Sequence, residues 1–354
     1  MVRKIITYCF IFILGLETIA RIEPAVIEFT ARFWNENFMI LLHKDALGYK
    51  PKPYGRWRDL RLNKYGFNDS DEYTLGEEKH TIRILCLGDS QTMGLIPYPK
   101  TWPGLLEENL RGRGLNVKVI NAGVALNNHS QIINRFEKEY LAFKPRIILI
   151  NRLFSEYVPK QYKEPQRPFL KKISKVSAFI KKYLKPRQPV HLTGEDNAYK
   201  KLISQRKRLG VAKLTHSIPQ KSLSDYRSDM RRLIDICRQA DITLVFSSYP
   251  CLINQTNRYE FANEIYDSLF SYPWFDEDLF VELIGTFNNT TREIAKENNV
   301  LYVDITEGLP LNKKHFLDSY HMTLEVNRKV AQNYAEVLEK LISAELNIET
   351  ISSQ

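Results

Sequence analysis

A chain of 354 residues that is 44% hydrophobic and 26% charged, with 15 Gly and 16 Pro, has a globular composition and length enough for a large core. Fibrous, collagen-like and wholly disordered classes are excluded, and one α/β domain of about 250 residues with appendages fits better than two equal domains. The net charge of +10 is concentrated, since residues 160–190 hold ten Lys or Arg against one acid, Glu164; a local patch points to a local anionic partner, and no zinc-finger spacing, basic zipper or aromatic RNA-binding motif supports a nucleic-acid one.

At the N-terminus Arg3 and Lys4 precede the apolar run 5–16 (IITYCFIFILGL), which ends at Glu17. A positive flank before an apolar core is the arrangement of a signal peptide or signal anchor. The run is short for a bilayer span of about 17–25 residues, but it stretches from Val2 to Ala20 if Lys4 and Arg21 snorkel. No small-x-small cleavage site follows, so an uncleaved anchor over residues 1–22 is expected, with the body on the extracytoplasmic side. Residues 23–80 then form an N-terminal extension, packed on the core or joining it to the anchor.

Five short apolar runs punctuate the body: 82–87 (IRILCL), 117–120 (VKVI), 146–150 (RIILI), 242–246 (ITLVF) and 300–303 (VLYV). Each is nearly continuous in apolar residues, as parallel strands covered on both faces require. Segments of helical period lie between and after them, over 102–110, 131–143, 226–240, 281–298 and 324–346. The alternation predicts a three-layer α/β sandwich with a mainly five-stranded parallel sheet of flavodoxin-like type over residues 81–346, and a tail at 347–354. Cys9, Cys86, Cys237 and Cys251 are scattered; they form neither a disulfide framework nor a metal-ligand set and read as small buried hydrophobes.

Residues 155–222 interrupt the rhythm as a long insertion or cap that contains the basic patch. Within it, Leu170, Ile173, Val176, Phe179, Ile180, Tyr183 and Leu184 share one helical face and lysines fill the remainder. Two readings stand: a basic amphipathic helix (170–185) against anionic headgroups, or a cap helix packed on the domain with a solvated lysine face.

Two places carry chemistry. Ser90 ends the first strand in LCLGDSQTMG, where Gly88 permits a tight turn at the C-terminal edge of the sheet, the edge at which open α/β sheets bind ligands. Asp and Ser are also common turn formers and helix caps, so Gly-Asp-Ser alone does not decide between a site and a cap. Far along the chain, Asp318 and His321 in HFLDSYHMTLE precede the last long helix. A carboxylate three residues before an imidazole fixes its tautomer, and the imidazole then deprotonates a serine; a surface or capping histidine is the plainer alternative. His315 is a rival base without an acid three residues before it.

Together these pieces resemble the SGNH, or GDSL-type, serine hydrolases. GDSQTMG is similar to the first family block, VINAGVALNNHSQ to the second, and DSYH to the Asp-x-x-His of the last, over roughly residues 80–345. RLNKYGF, ahead of the first block, resembles the lead-in of membrane-anchored bacterial members, and SYP after the fourth strand fits as well. The resemblance implies Ser90 as nucleophile, His321 as general base oriented by Asp318, and Asp89 as a structural acid. It implies oxyanion donors from the Ser90 and Gly123 backbones.

The third block departs from the family's Gly-x-Asn-Asp. In RIILINRLFSEYV an ungapped alignment puts Leu153 at the glycine, Ser155 at the asparagine that supplies the third oxyanion donor, and Glu156 at the aspartate. Asn151 serves only if the loop is shifted, and Arg152 is a further substitute. Leu126 stands where many members have a glycine in the second block. The expected function is a serine ester hydrolase or O-acyltransferase working through an acyl-enzyme on O-acylated carbohydrate of the cell envelope, with no metal or organic cofactor. The alternative is a degenerate domain that binds glycan or serves as an assembly accessory.

Overall fold

The computed structural model describes residues 41–70, 73–76, 80–158 and 196–352. The expected anchor over 1–22 and the amphipathic helix over 170–185 lie outside the described residues. Among the described residues no helix is long and apolar enough to cross a membrane.

Two hairpins come first. β1 (Leu42–Asp45) pairs antiparallel with β2 (Gly48–Pro51), and β3 (Arg56–Trp57) with β4 (Leu60–Arg61). The sheet strand β5 (Ile82–Gly88) runs into a one-turn helix α1 (Ser90–Met93) and then α2 (Trp102–Gly112). Next come β6 (Val117–Gly123), α3 (His129–Lys138) and β7 (Ile147–Asn151). After them follow α4 (Asp196–Leu209), α5 (Gln220–Gln239), β8 (Thr243–Ser247), α6 (Ala262–Leu269), α7 (Glu277–Glu297), β9 (Leu301–Val303) and α8 (Leu324–Ser352).

The sheet has five strands, all parallel, in the order β6-β5-β7-β8-β9. The chain therefore steps one way from β5 to β6 and then crosses back past β5 to β7. Such a reversal leaves a crevice at the carboxyl ends of the strands. Right-handed crossovers put α2 and α8 on one face and α3, α5 and α7 on the other. Trp102 of α2 stacks on Tyr334 of α8 at 5.0 Å, and Phe154 stacks on Phe287 of α7 at 4.9 Å. This is the three-layer α/β architecture that the alternating pattern predicts. Cys86, Cys237 and Cys251 are buried in it.

One predicted helix is shorter. The period over 131–143 is split, because α3 ends at Lys138 and Tyr140–Phe143 form a 3-10 turn closed by Lys144 at φ 50. The start of α3 is a capping box: Asn128 accepts from the Gln131 N–H and its own N–H donates to the Gln131 side chain.

The extension before residue 80 is built into the core. Asp69 and Glu107 both pair with the buried Lys118 ammonium, at 3.1 and 2.9 Å, and Asp69 also accepts the Asn121 N–H. The Arg83 guanidinium donates to the carbonyls of Thr74, Gly76 and Phe143. Leu41, Leu42, Leu60 and Leu62 pack with Met93, Val124 and Ala125, so the hairpins cover the end of β6 and the helix that carries Ser90.

Candidate active site

The turn after β5 is shaped by close approach. A Cβ on Gly88 would lie 2.0 Å from Thr92 Oγ1 and 2.2 Å from the Asn151 carbonyl, and one on Gly123 would lie 2.2 Å from the Met93 nitrogen. The two glycines are paired in register, so together they form the seat on which α1 rests. Ser90 begins that helix. Asp89 caps it by accepting the Gln91 N–H at 2.9 Å, as the capping reading of Gly-Asp-Ser requires. The other Asp89 oxygen accepts the Leu153 N–H at 3.0 Å and the Tyr249 hydroxyl at 3.3 Å, with the Arg152 guanidinium at 3.7 Å.

Ser90 Oγ lies 2.8 Å from His321 Nε2, across 231 residues of sequence. His321 Nδ1 lies 2.6 Å from Asp318 Oδ2, and the other Asp318 oxygen accepts the backbone N–H groups of Tyr320 and His321 at 2.9 and 2.8 Å. Burial alone would raise the Asp318 pKa; the hydrogen bond and charge of His321 and the two backbone donors outweigh it and hold the carboxyl below its usual range. The loop is fixed from several sides. The Leu317 N–H donates to the His321 carbonyl, the Ser319 hydroxyl donates to the Glu264 carbonyl, and Gln91 of α1 reaches the Tyr320 carbonyl at 2.6 Å. His315, the rival base, is bound to Asn312 and Glu325 instead.

The expected oxyanion residues fare differently. The Gly123 N–H is engaged with the Asn121 side-chain oxygen at 3.2 Å. The Asn151 side chain is 2% exposed, and its amide donates to the Ser248 carbonyl at 2.9 Å and to Ser247 Oγ at 3.3 Å. Both donors are thus committed within the fold, because β6 and β7 continue far enough to draw them into the sheet end. Ser155 opens a 3-10 turn, Ser155–Tyr157, and its side chain lies outside the described residues. Arg152 is buried between Asp89 and Glu156 and donates to the carbonyls of Asn127 and Leu153. Burial would raise the Glu156 carboxyl, but Arg152 and His129 bring it down to about 2.

A residue outside the expected donor set is prominent. Leu126, in the turn between β6 and α3, has φ 70 and is 54% exposed. That backbone region costs a leucine about 1–2 kcal/mol and costs glycine nothing. Its N–H has no hydrogen-bond partner among the described residues. The turn adjoins the serine, since the Val124 N–H donates to the Gly88 carbonyl at 2.9 Å. The available signal was the glycine that many family members place there. Two residues on, a groove of about 660 Å³ begins, with Asn128, Ser130, Tyr157, Asp225 and Asp229 among its lining.

No protein-family model matches the chain, and no curated protein matches it. Among solved structures, it is similar to a catalytic mutant of an acetylxylan esterase from Geobacillus stearothermophilus, at 12% identity and a TM-score of 0.43 over 72% of this chain and 93% of that one. It is also similar to a member of the lipolytic G-D-S-L family from Veillonella parvula, at 12% identity and a TM-score of 0.41 over 72% and 97%. At such scores these are likenesses of shape and carry no further argument.

Proposed function

We propose that the chain is a serine ester hydrolase in which Ser90 attacks an ester carbonyl, His321 takes the hydroxyl proton, and Asp318 holds the imidazole in the required tautomer. The observation that carries this reading is the continuous pair of contacts from Ser90 Oγ to His321 and from His321 to Asp318. The ester C–O bond breaks as the tetrahedral intermediate collapses, and His321 returns the proton to the leaving alcohol. Water, deprotonated by the same imidazole, then releases the acid from the acyl-enzyme. An acceptor hydroxyl in place of water makes the same machinery an O-acyltransferase.

For the oxyanion we assign the backbone N–H groups of Ser90 and Leu126, with the Ser155 hydroxyl as the third donor in place of the family's asparagine. The engagement of Gly123 and Asn151 elsewhere supports this change from the sequence expectation. Ser155→Asn then raises turnover, and an unchanged rate removes Ser155 from the assignment.

The substrate we propose is an O-acylated carbohydrate of the cell envelope. The groove beginning at Asn128 offers hydroxyls of Ser130 and Tyr157 and carboxylates of Asp225 and Asp229 beside apolar surface, a mixture chemically suited to it. Anchoring through residues 1–22 with the body outside the cytoplasm belongs to the same reading. The departure of the third block favours the second reading, a domain that binds glycan without turnover.

The test is a fluorophosphonate probe together with hydrolysis of nitrophenyl acetate. Ser90 should be labelled, and Ser90→Ala and His321→Ala should each abolish nearly all hydrolysis. The double variant should be no worse than either single, as expected of residues acting as one unit. Absence of labelling with full retention of glycan binding would instead establish the binding domain.

A further inference from the structure

Leu126 has no packing reason to be where it is. A leucine that is half exposed and left-handed persists only if its surroundings over-determine the turn, and the residue after it does so. The Asn127 side chain accepts the Tyr49 N–H at 2.6 Å and donates to the Tyr49 carbonyl at 2.7 Å. A side-chain amide thus pairs with β2 as a neighbouring strand's backbone would. The Asn127 carbonyl is held in turn by Arg152 Nε, and the Asn128 capping box fixes the following residue.

The partner surface is itself fastened. Asp45 of β1 pairs with Arg135 of α3 at 2.7 Å, and Lys50 of β2 with Glu139 at 2.8 Å. Gly48 allows the approach: it has φ 114, and a Cβ there would lie 2.6 Å from Asn127 Oδ1. The hairpin is therefore shaped around this one amide.

We infer that Asn127 is a positioning residue, through which the β1–β2 hairpin clamps the 126–127 turn and keeps the Leu126 N–H directed at the developing oxyanion. The inference rests on the proposed hydrolase reading and gives the residues before 80 a part in turnover. Asn127 touches no reacting atom; its effect is to keep a donor where charge develops, a contribution made in the transition state and not in substrate binding.

The experiment measures kcat and KM for nitrophenyl acetate hydrolysis, and the melting temperature, on the full chain. Asn127→Ala and Gly48→Ala should each lower kcat about 10- to 100-fold, approaching the ~10²–10³ of a lost oxyanion donor, with KM within about threefold. Combined, they should cost no more than the worse single variant, because both release the same clamp. Leu126→Gly added to Asn127→Ala should restore about fivefold in kcat, since glycine holds the left-handed turn without help. If Asn127→Ala does not fold, Asn127→Asp keeps the acceptor for Tyr49 N–H and loses only the donor, and it should show the same split between kcat and KM.

Unchanged kcat in a folded variant, a loss confined to KM, or failure of Leu126→Gly to restore activity would overturn the inference. Hydrolysis that survives Ser90→Ala sinks the hydrolase reading itself, an outcome that the clamp variants cannot produce.

Discussion

Gly88→Ala is the sharpest perturbation of the serine's seat. The added methyl would meet Thr92 Oγ1 at 2.0 Å and the Asn151 carbonyl at 2.2 Å, where 3.0 Å is the floor for real contacts. Thr92 can rotate, but a backbone carbonyl in a sheet cannot, so the strand end at residue 88 must shift by at least 0.8 Å to bring 2.2 Å up to 3.0 Å. Ser90 follows two residues on and moves with it, so its 2.8 Å contact with His321 opens by a comparable amount. A misplacement of about 1 Å in a catalytic group can cost ~10²-fold, so kcat should fall by about that factor. Overpacking of about 1–3 kcal/mol lowers the melting temperature by roughly 2–12 °C in a domain of this size, so the protein remains foldable. Thr92→Ala in the same chain should not restore activity, because the Asn151 carbonyl remains. The assay is nitrophenyl acetate hydrolysis corrected for folded fraction. A Gly88→Ala protein with kcat within threefold of wild type would refute the seat.

Three further outcomes are expected. Asn151→Ala loses two buried hydrogen bonds and about 1–3 kcal/mol of stability but keeps kcat within about threefold; a loss of ~10²–10³ would place its amide at the oxyanion after all. Asp69, paired with the buried Lys118 ammonium, has its pKa raised by burial from 3.8 to about 6. The folded state therefore binds this proton more tightly than the unfolded chain, so the contribution of Asp69 to stability is fully present below about pH 4 and is lost as pH rises through 6, by up to about 3 kcal/mol. Urea melts across that range should show the fall in wild type and lose it in Asp69→Asn; equal slopes in both would contradict it. Asp318→Asn should leave Ser90 and His321 in place yet cut kcat by roughly 10⁴, the scale of a wrong-tautomer histidine, and a loss under tenfold would remove Asp318 from the machinery.

The five strands were legible because each is apolar almost without a break, which only a doubly covered parallel strand permits. The meeting of Ser90, His321 and Asp318 was legible because short motifs kept their spacing on strand-end loops. The donors were harder. The Gly123 N–H turns toward Asn121, and no pattern in VINAGVALNNHS says which N–H faces outward. Asn151 looked displaced by a few residues, yet its place in register with Gly88 buries it. The hairpins before residue 62 are two to four residues per strand, too short for alternation to register. The break at Lys138 was hidden because the 3-10 turn of Tyr140–Phe143 continues the apolar spacing of the helix.

The distance in sequence between Ser90 and His321 has a consequence for biosynthesis. Ser90, its Asp89 cap and the Gly88 seat lie at the end of the first strand of the sheet and just after it, while His321 arrives 231 residues later, on the loop that leads into α8. On the proposed hydrolase reading, the nucleophile therefore emerges during N-to-C synthesis long before anything can activate it. Contacts of such separation form late, after the entropy of closing a long loop has been overcome. On that reading hydrolytic competence reports on completion of the whole sheet, and a translation product stopped before residue 318 carries an ordinary, unreactive serine.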